Sequence, residues 1–222
     1  MSALKLFLDS AERAAWQRWL PTGLFAGVTT NPTLLRHAGI ACELPALRGL
    51  ALGAIALGAG EVHLQAWGAT ADALAACGRS LGGIDHRVCV KLPLTVAGVQ
   101  AAHALVGESV RVTFTACFDA SQVLPAIALG ADYVAPYLGR INDSGRDGMA
   151  EIITMQRTVE AQLSGLRVLV ASLRAPQELA RLAAAGLQTF TVSPALAEAL
   201  LENTQTAAAA AQFEADAEGV GA

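Results

Sequence analysis

Eight short apolar runs alternate with alanine- and leucine-rich stretches of helical spacing, and this predicts an α/β fold, a single (β/α)8 TIM barrel with a C-terminal helical extension. The runs are apolar at consecutive positions, as in strands whose outer face is covered by helices. The segment FLDSAERAAW, leaving the first run, lacks the glycine-rich phosphate loop that a doubly wound open sheet would place there.

The strands are read, in order, as LKLFLD (4–9), FAGVTT (25–30), EVHLQAW (61–67), RVCVKL (87–92), SVRVTFT (109–115), DYVAPYL (132–138), RVLVAS (167–172) and TFTVS (189–193). Between them DALAACGRSLG, SQVLPAIALGA, GMAEIITMQRTVEAQLSG and PQELARLAAAG carry helical spacing. The last opens on Pro176 and closes on Gly186, the usual asymmetry of helix ends. The most apolar run, GLALGAIALGAG at 49–60, is too short to span a bilayer and reads as a buried helix. Residues 205–222 read as a terminal helix with a frayed end, and no linker divides 1–222 into more than one domain.

Composition narrows the function. The chain has 222 residues, 54% of them hydrophobic and 15% charged, so it is globular and long enough for a sizeable core. A net charge of −4 with no basic stripe argues against nucleic acid. The start, MSALKLFLDS, does not read as a signal peptide, and no membrane segment is predicted. Four dispersed cysteines without a CxxC pair fit a reduced, cytoplasmic protein. The four histidines form no HxH or HExxH pattern, so no metal and no other cofactor is expected.

A barrel of this kind gathers its chemistry at the C-terminal ends of its strands. Those ends carry Asp9, Thr30 with Asn31, Gln65, Lys91, Thr115, Tyr137, Ser172 and Ser193. Each has a plain structural alternative. Asp9 can cap the first helix, Asn31-Pro32 can start a turn, and Tyr137 can be a core aromatic. Lys91 is distinctive because the chain has thirteen arginines and only two lysines, and Lys91 lies between Val88, Val90, Leu92, Pro93 and Leu94. An apolar setting favours a neutral amine, and a neutral amine attacks carbonyls to form a Schiff base. Arginine stays protonated in proteins and cannot replace it. Lys91 is therefore read as a nucleophile. Arg140 and Arg174 follow two adjacent strand ends and suit bidentate phosphate binding, with solvated loop arginines as the alternative.

FLDSA (7–11), AGVTTNPTLL (26–35), VKLPLT (90–95), ADYVAPYLGRINDSGRDG (131–148) and VLVASLRAP (168–176) together resemble the transaldolase family in order and over nearly the whole chain. The length is similar to that of its small members, the fructose-6-phosphate aldolases and short bacterial transaldolases. The resemblance implies a Schiff-base lysine at Lys91, proton transfer and hydroxyl binding by Asp9, and a hydrogen bond from Asn31 to a dihydroxyacetone unit. It implies that Gln65 and Thr115 position a water, and that Arg140, Ser172 and Arg174 bind a sugar phosphate; Thr30, next to Asn31 at the end of the second strand, is read as substrate-binding. Transaldolases proper resemble one another in having Glu at the Gln65 position and Phe at the Tyr137 position. The Gln65/Tyr137 pair is aldolase-like, and a tyrosine hydroxyl beside the Schiff base can move protons for release of dihydroxyacetone.

Two other readings stand beside this one. The first is a true transaldolase of the pentose phosphate pathway, acting on sedoheptulose 7-phosphate and glyceraldehyde 3-phosphate. The second is a barrel that binds sugar phosphates without catalysis, which would need the arginines but not Lys91, Asp9 or Tyr137. The resemblance also implies a homo-oligomer, a pentamer or decamer.

Overall fold

A computed structural model describes residues 4–219. Its elements run β1 (Lys5–Asp9), α1 (Arg13–Trp19), β2 (Phe25–Thr29), α2 (Pro32–His37), α3 (Leu44–Ala56), β3 (Glu61–Gln65), α4 (Ala71–Gly82), β4 (Val88–Pro93), α5 (Val96–Gly107) and β5 (Val112–Cys117). They continue with α6 (Val123–Leu129), β6 (Tyr133–Pro136), α7 (Leu138–Asp143), α8 (Gly148–Ala161), β7 (Arg167–Val170), α9 (Pro176–Ala184), β8 (Thr189–Val192), α10 (Pro194–Ala199) and α11 (Thr204–Gly219). All neighbouring strands pair in parallel in chain order, and β8 closes on β1. The expected closed (β/α)8 barrel is the fold observed.

Strand side chains alternate between two faces. Val88, Val90 and Leu92 of β4 point outward into the main hydrophobic core beneath the helices. Cys89 and Lys91 point into the barrel. Below the upper rim the interior holds Phe7, His63, Cys89, Thr113, Tyr133 and Leu169, all fully buried or nearly so. The rings of Phe7, His63 and Tyr133 meet edge to face at 4.9–6.2 Å.

The N-terminal mouth is closed by charge. Glu61 is 8% exposed. It accepts hydrogen bonds from Lys5 Nζ (2.5 Å), Arg111 Nη2 (2.7 Å) and the Tyr133 hydroxyl (2.8 Å). Arg111 also reaches Asp132, whose other oxygen accepts the Val112 N–H at 2.9 Å. The two lysines thus serve opposite ends of the barrel.

Where β2 meets β3, backbone leaves no room for a side chain. A Cβ at Gly27 would lie 1.9 Å from the Glu61 carbonyl oxygen. Gly27→Ala is expected to lose about 3 kcal/mol or more, through forced separation of two core strands. Urea unfolding measures it, and a loss below about 1 kcal/mol would show that the strands adjust freely.

The structure moves several predicted boundaries. The run at 49–60 is part of a helix that starts at Leu44 and ends at Ala56, and it is one-sided: Leu47, Ala51 and Ala54 are buried, whereas Leu44 and Leu52 are exposed. Apolar composition without a preserved period cannot distinguish the two. The fifth strand starts at Val112, not at 109, because Ser109 sits at φ 62° in the turn that ends α5. Strand six stops at Pro136, leaving Tyr137 a single bridge to Ala171 before α7 begins. The terminal helix, within the helix-and-frayed-end stretch expected over 205–222, runs to Gly219 with every described residue exposed, and positions 220–222 of that stretch lie outside the described residues.

Candidate active site

A cavity of about 540 Å³ opens at the C-terminal rim of the barrel. Asp9, Asn31, Gln65, Lys91, Thr115, Tyr137, Arg140 and Ser172 line it, eight of the ten residues expected at the site. The parallel register explains the convergence. Asp9 pairs with Thr29, Gln65 with Lys91, and β5 brings Thr115 beside Pro93.

Lys91 is 5% exposed and forms the floor. Its Nζ donates to the Thr30 carbonyl oxygen at 2.6 Å. The valines and leucines next to it in sequence face the helices, so the amine does not lie among them. Its surroundings are a polar layer made by other strands: Asp9, Thr29, Gln65 and Thr115. What secludes Lys91 is barrel closure, not its neighbours in the chain.

Asp9 does not cap the first helix; Glu12 occupies that position, and the Ser10 hydroxyl accepts the Glu12 N–H at 3.0 Å. The Asp9 carboxylate accepts from the Thr29 hydroxyl at 2.6 Å, and Thr29 in turn contacts the Thr191 hydroxyl at 2.6 Å. Burial raises the Asp9 pKa above the usual aspartate range, opposed by the positive charge of Lys91 and the Thr29 hydrogen bond. This gives a carboxyl able to hold or release a proton beside a buried amine.

On the opposite wall Thr115 and Tyr137 are joined hydroxyl to hydroxyl. The Tyr137 ring packs edge-on against Phe118 at 5.6 Å, and the Arg140 guanidinium stacks over it at 5.1 Å. Gln65 is oriented by its amide nitrogen, which donates to the Lys91 carbonyl (3.1 Å) and the Ala66 carbonyl (3.3 Å), leaving its oxygen free to face the cavity. Asn31 does two things. Its Oδ1 caps α2 by accepting the Leu34 N–H at 3.0 Å, and its amide NH2 remains for a ligand. Ser172 and Ala116, both on the cavity wall, adopt left-handed backbone at φ 59°. Such conformations in non-glycine residues cluster at functional sites.

Two expected residues stand elsewhere. Thr30 is buried and does not line the cavity; its hydroxyl donates to the His63 carbonyl at 3.3 Å, and its own backbone carbonyl accepts from the Lys91 amine. Arg174 does not line the cavity. Its guanidinium forms a bidentate pair with Asp143 (2.8 and 2.5 Å), a partner three-dimensional folding supplies from α7. Ser193, the last strand end, caps α10 instead of facing the site. The reading along the chain missed Thr29, Thr191 and His37, which also line the cavity. Thr29 was legible, because it shares the register of Asp9; His37 lies four residues after Thr33 on one helix face.

The arrangement is a secluded amine, a carboxyl of raised pKa and a paired tyrosine–threonine around one cavity. The family model described as transaldolase/fructose-6-phosphate aldolase matches residues 6–220. The chain belongs to that family. A probable transaldolase from Hyphomonas neptunium is 34% identical over 98% of this chain and 99% of its own length. A probable transaldolase from Caulobacter sp. is 34% identical over 98% of both chains. Among solved structures, the thiamine phosphate pyrophosphorylase from Pyrococcus furiosus superposes with a TM-score of 0.56 at 14% identity, covering 86% of this chain and 85% of that one, which speaks to the barrel fold alone. Membership makes the chain an enzyme of the transaldolase type. No helix of the described residues is long and apolar enough to cross a membrane.

Proposed function

We propose that this transaldolase-family enzyme forms a Schiff base through Lys91 and cleaves or forms the C3–C4 bond of a ketose phosphate such as fructose 6-phosphate. The observation that carries the reading is the position of Lys91 Nζ: at the cavity floor, held by a backbone carbonyl, beside a carboxyl of raised pKa. The amine adds to the C2 carbonyl and water leaves, giving an iminium. A base removes the C4 hydroxyl proton, the C3–C4 bond breaks, and its electrons pass into the iminium to give an enamine. An aldose phosphate departs. Asp9 is suited to the proton steps at the carbinolamine and C4 hydroxyl, and Asn31 to the hydroxyls of the retained three-carbon unit. Gln65 and the Thr115–Tyr137 pair are suited to hold the water that protonates the enamine and hydrolyses the imine. Arg140 and Ser172 are suited to the phosphate. Arg174 joins them only by leaving Asp143.

Borohydride trapping with fructose 6-phosphate, read by peptide mass spectrometry, tests the proposal. A three-carbon adduct on Lys91 is expected; its absence with that ketose and a panel of others leaves a barrel that binds without reacting. Release of free dihydroxyacetone without an acceptor supports the aldolase subtype favoured by Gln65 and Tyr137. Strict dependence on erythrose 4-phosphate supports transaldolase proper, the activity for which the two relatives are named.

Asp9 gives a test with opposite signs for activity and stability. Its folded pKa lies above the ordinary 3.8. Its contribution to folding is therefore fully present below 3.8 and is lost as pH rises through the folded value. Asp9→Asn stays neutral and keeps an oxygen for Thr29. It is expected to melt at or above the parent temperature at pH 8 while kcat falls about 10²-fold or more. A clearly lower Tm at pH 8 would mean that the carboxylate stabilises the fold.

The proposal extends to assembly and place: a homo-oligomer, pentamer or decamer, in the cytoplasm. In support, α11 offers sixteen residues with no described one buried, including Phe213 at 71% exposure. Light scattering giving a monomer mass would remove the assembly.

A further inference from the structure

We propose that His37 is a specificity-determining residue that forms, with Arg140, a two-sided clamp for the phosphate end of the sugar. The inference rests on the sugar-phosphate reading above and names a group that reading does not use.

Helix geometry puts His37 at the cavity. Thr33 and His37 are four residues apart on α2, hence on one face, with His37 about 6 Å farther along the axis. Both line the cavity, whereas Arg36, equally exposed, does not. Asn31 caps this helix and is itself in the site, so the wall carrying His37 is anchored at the reacting end.

Charge then distinguishes the outer cavity from the floor. Asp9 is the one acidic residue in the lining, and it lies by Lys91. Besides Asp9 and Lys91, the ionisable groups that line the cavity are His37, Tyr137 and Arg140, and none of these carries a negative side chain at neutral pH. Among the described residues the His37 ring has no hydrogen bond or ion pair. Arg140 pairs with no carboxylate there, and its cation contact is the face of Tyr137. Arg174, one strand away, is already neutralised by Asp143. A cavity with a nucleophilic amine below and two uncommitted donors above suits a substrate whose far end is a dianion. Arg140 supplies a planar fork, and an imidazole N–H donates to phosphate oxygen in either protonation state.

The test compares two aldehydes that differ only in the phosphate, glyceraldehyde 3-phosphate and glyceraldehyde, each condensed with dihydroxyacetone. His37→Ala is expected to raise KM for the phosphorylated aldehyde about tenfold, leaving its kcat and the KM for glyceraldehyde within twofold. His37→Lys should restore the phosphorylated KM, and Arg36→Ala should change neither. An equal change for both aldehydes, or none, overturns the clamp. A second measurement does not need turnover: nitrogen-15 histidine spectra of the whole enzyme titrated with inorganic phosphate. A saturable shift of the His37 ring, lost in Arg140→Ala, is expected; no shift overturns the clamp. A phosphate-dependent shift without any Lys91 adduct would instead remove the Schiff-base reading and leave the clamp standing.

Discussion

Lys91→Arg is expected to lose the borohydride-trapped adduct entirely and to lower kcat/KM by at least about 10³-fold, the scale on which covalent nucleophiles are lost. The substitution keeps the positive charge and most of the aliphatic stem, so charge alone cannot account for the loss. What it removes is an amine that can be deprotonated. The guanidinium is larger than the amine, which is 5% exposed and held by the Thr30 carbonyl at 2.6 Å. Lys91→Met, of similar length and without charge, therefore belongs beside it. Both variants should remain cooperatively folded by circular dichroism, because the Lys91 side chain faces the cavity and not the apolar core beneath the helices. Retained turnover in either variant would overturn the Schiff-base proposal, since no other lysine lines the cavity.

The second large effect lies at the other end of the barrel and concerns stability. Burial pushes the Glu61 pKa up, but hydrogen bonds from Lys5 and Arg111, the Arg111 charge and the Tyr133 hydroxyl outweigh it and hold the carboxyl at about 2, against an ordinary 4.5. A depressed carboxylate pKa contributes stability that is present above the unfolded value and lost as pH falls through the folded one. The window here is pH 4.5 down to about 2. The difference corresponds to about 3 kcal/mol at neutral pH. Glu61→Gln is therefore expected to lower the unfolding free energy by about 3 kcal/mol at pH 7, since it also leaves Lys5 and Arg111 facing a neutral amide. The gap to the parent should narrow as pH approaches 3. Urea titrations at both pH values measure it. A gap that stays constant with pH would mean that the lost contribution is packing, not charge. His63 titrates in the same range, because burial lowers its pKa to about 3 with Glu61 only partly offsetting this, so the reading is the gap between variant and parent and not either curve alone.

The barrel itself was legible because its signal is local and repeated. Eight β-like runs, each followed by a helical stretch, leave few ways to close, and every predicted strand is present. The rim residues were legible for the same reason. A polar residue ending an apolar run is a local pattern, and parallel register then places all such ends on one side. Helix edges were read less well where composition hid the period, as in α3, or where a single left-handed residue cut a strand short, as at Ser109.

The chain by itself determined that Lys91, Asp9, Asn31, Gln65, Thr115, Tyr137, Arg140 and Ser172 would share a rim. Only the tertiary structure decided what each one touches. Val90 and Leu92 flank Lys91 in the chain yet face the helices, because strand side chains alternate; the groups around the amine come from β1, β2, β3 and β5. Arg174 has the right address for a phosphate but meets Asp143, thirty-one residues away in the chain. His37 has no motif around it and enters the site because a short helix turns one face to the cavity. Contacts of this kind depend on distances that close only when the barrel does, and no local pattern encodes them.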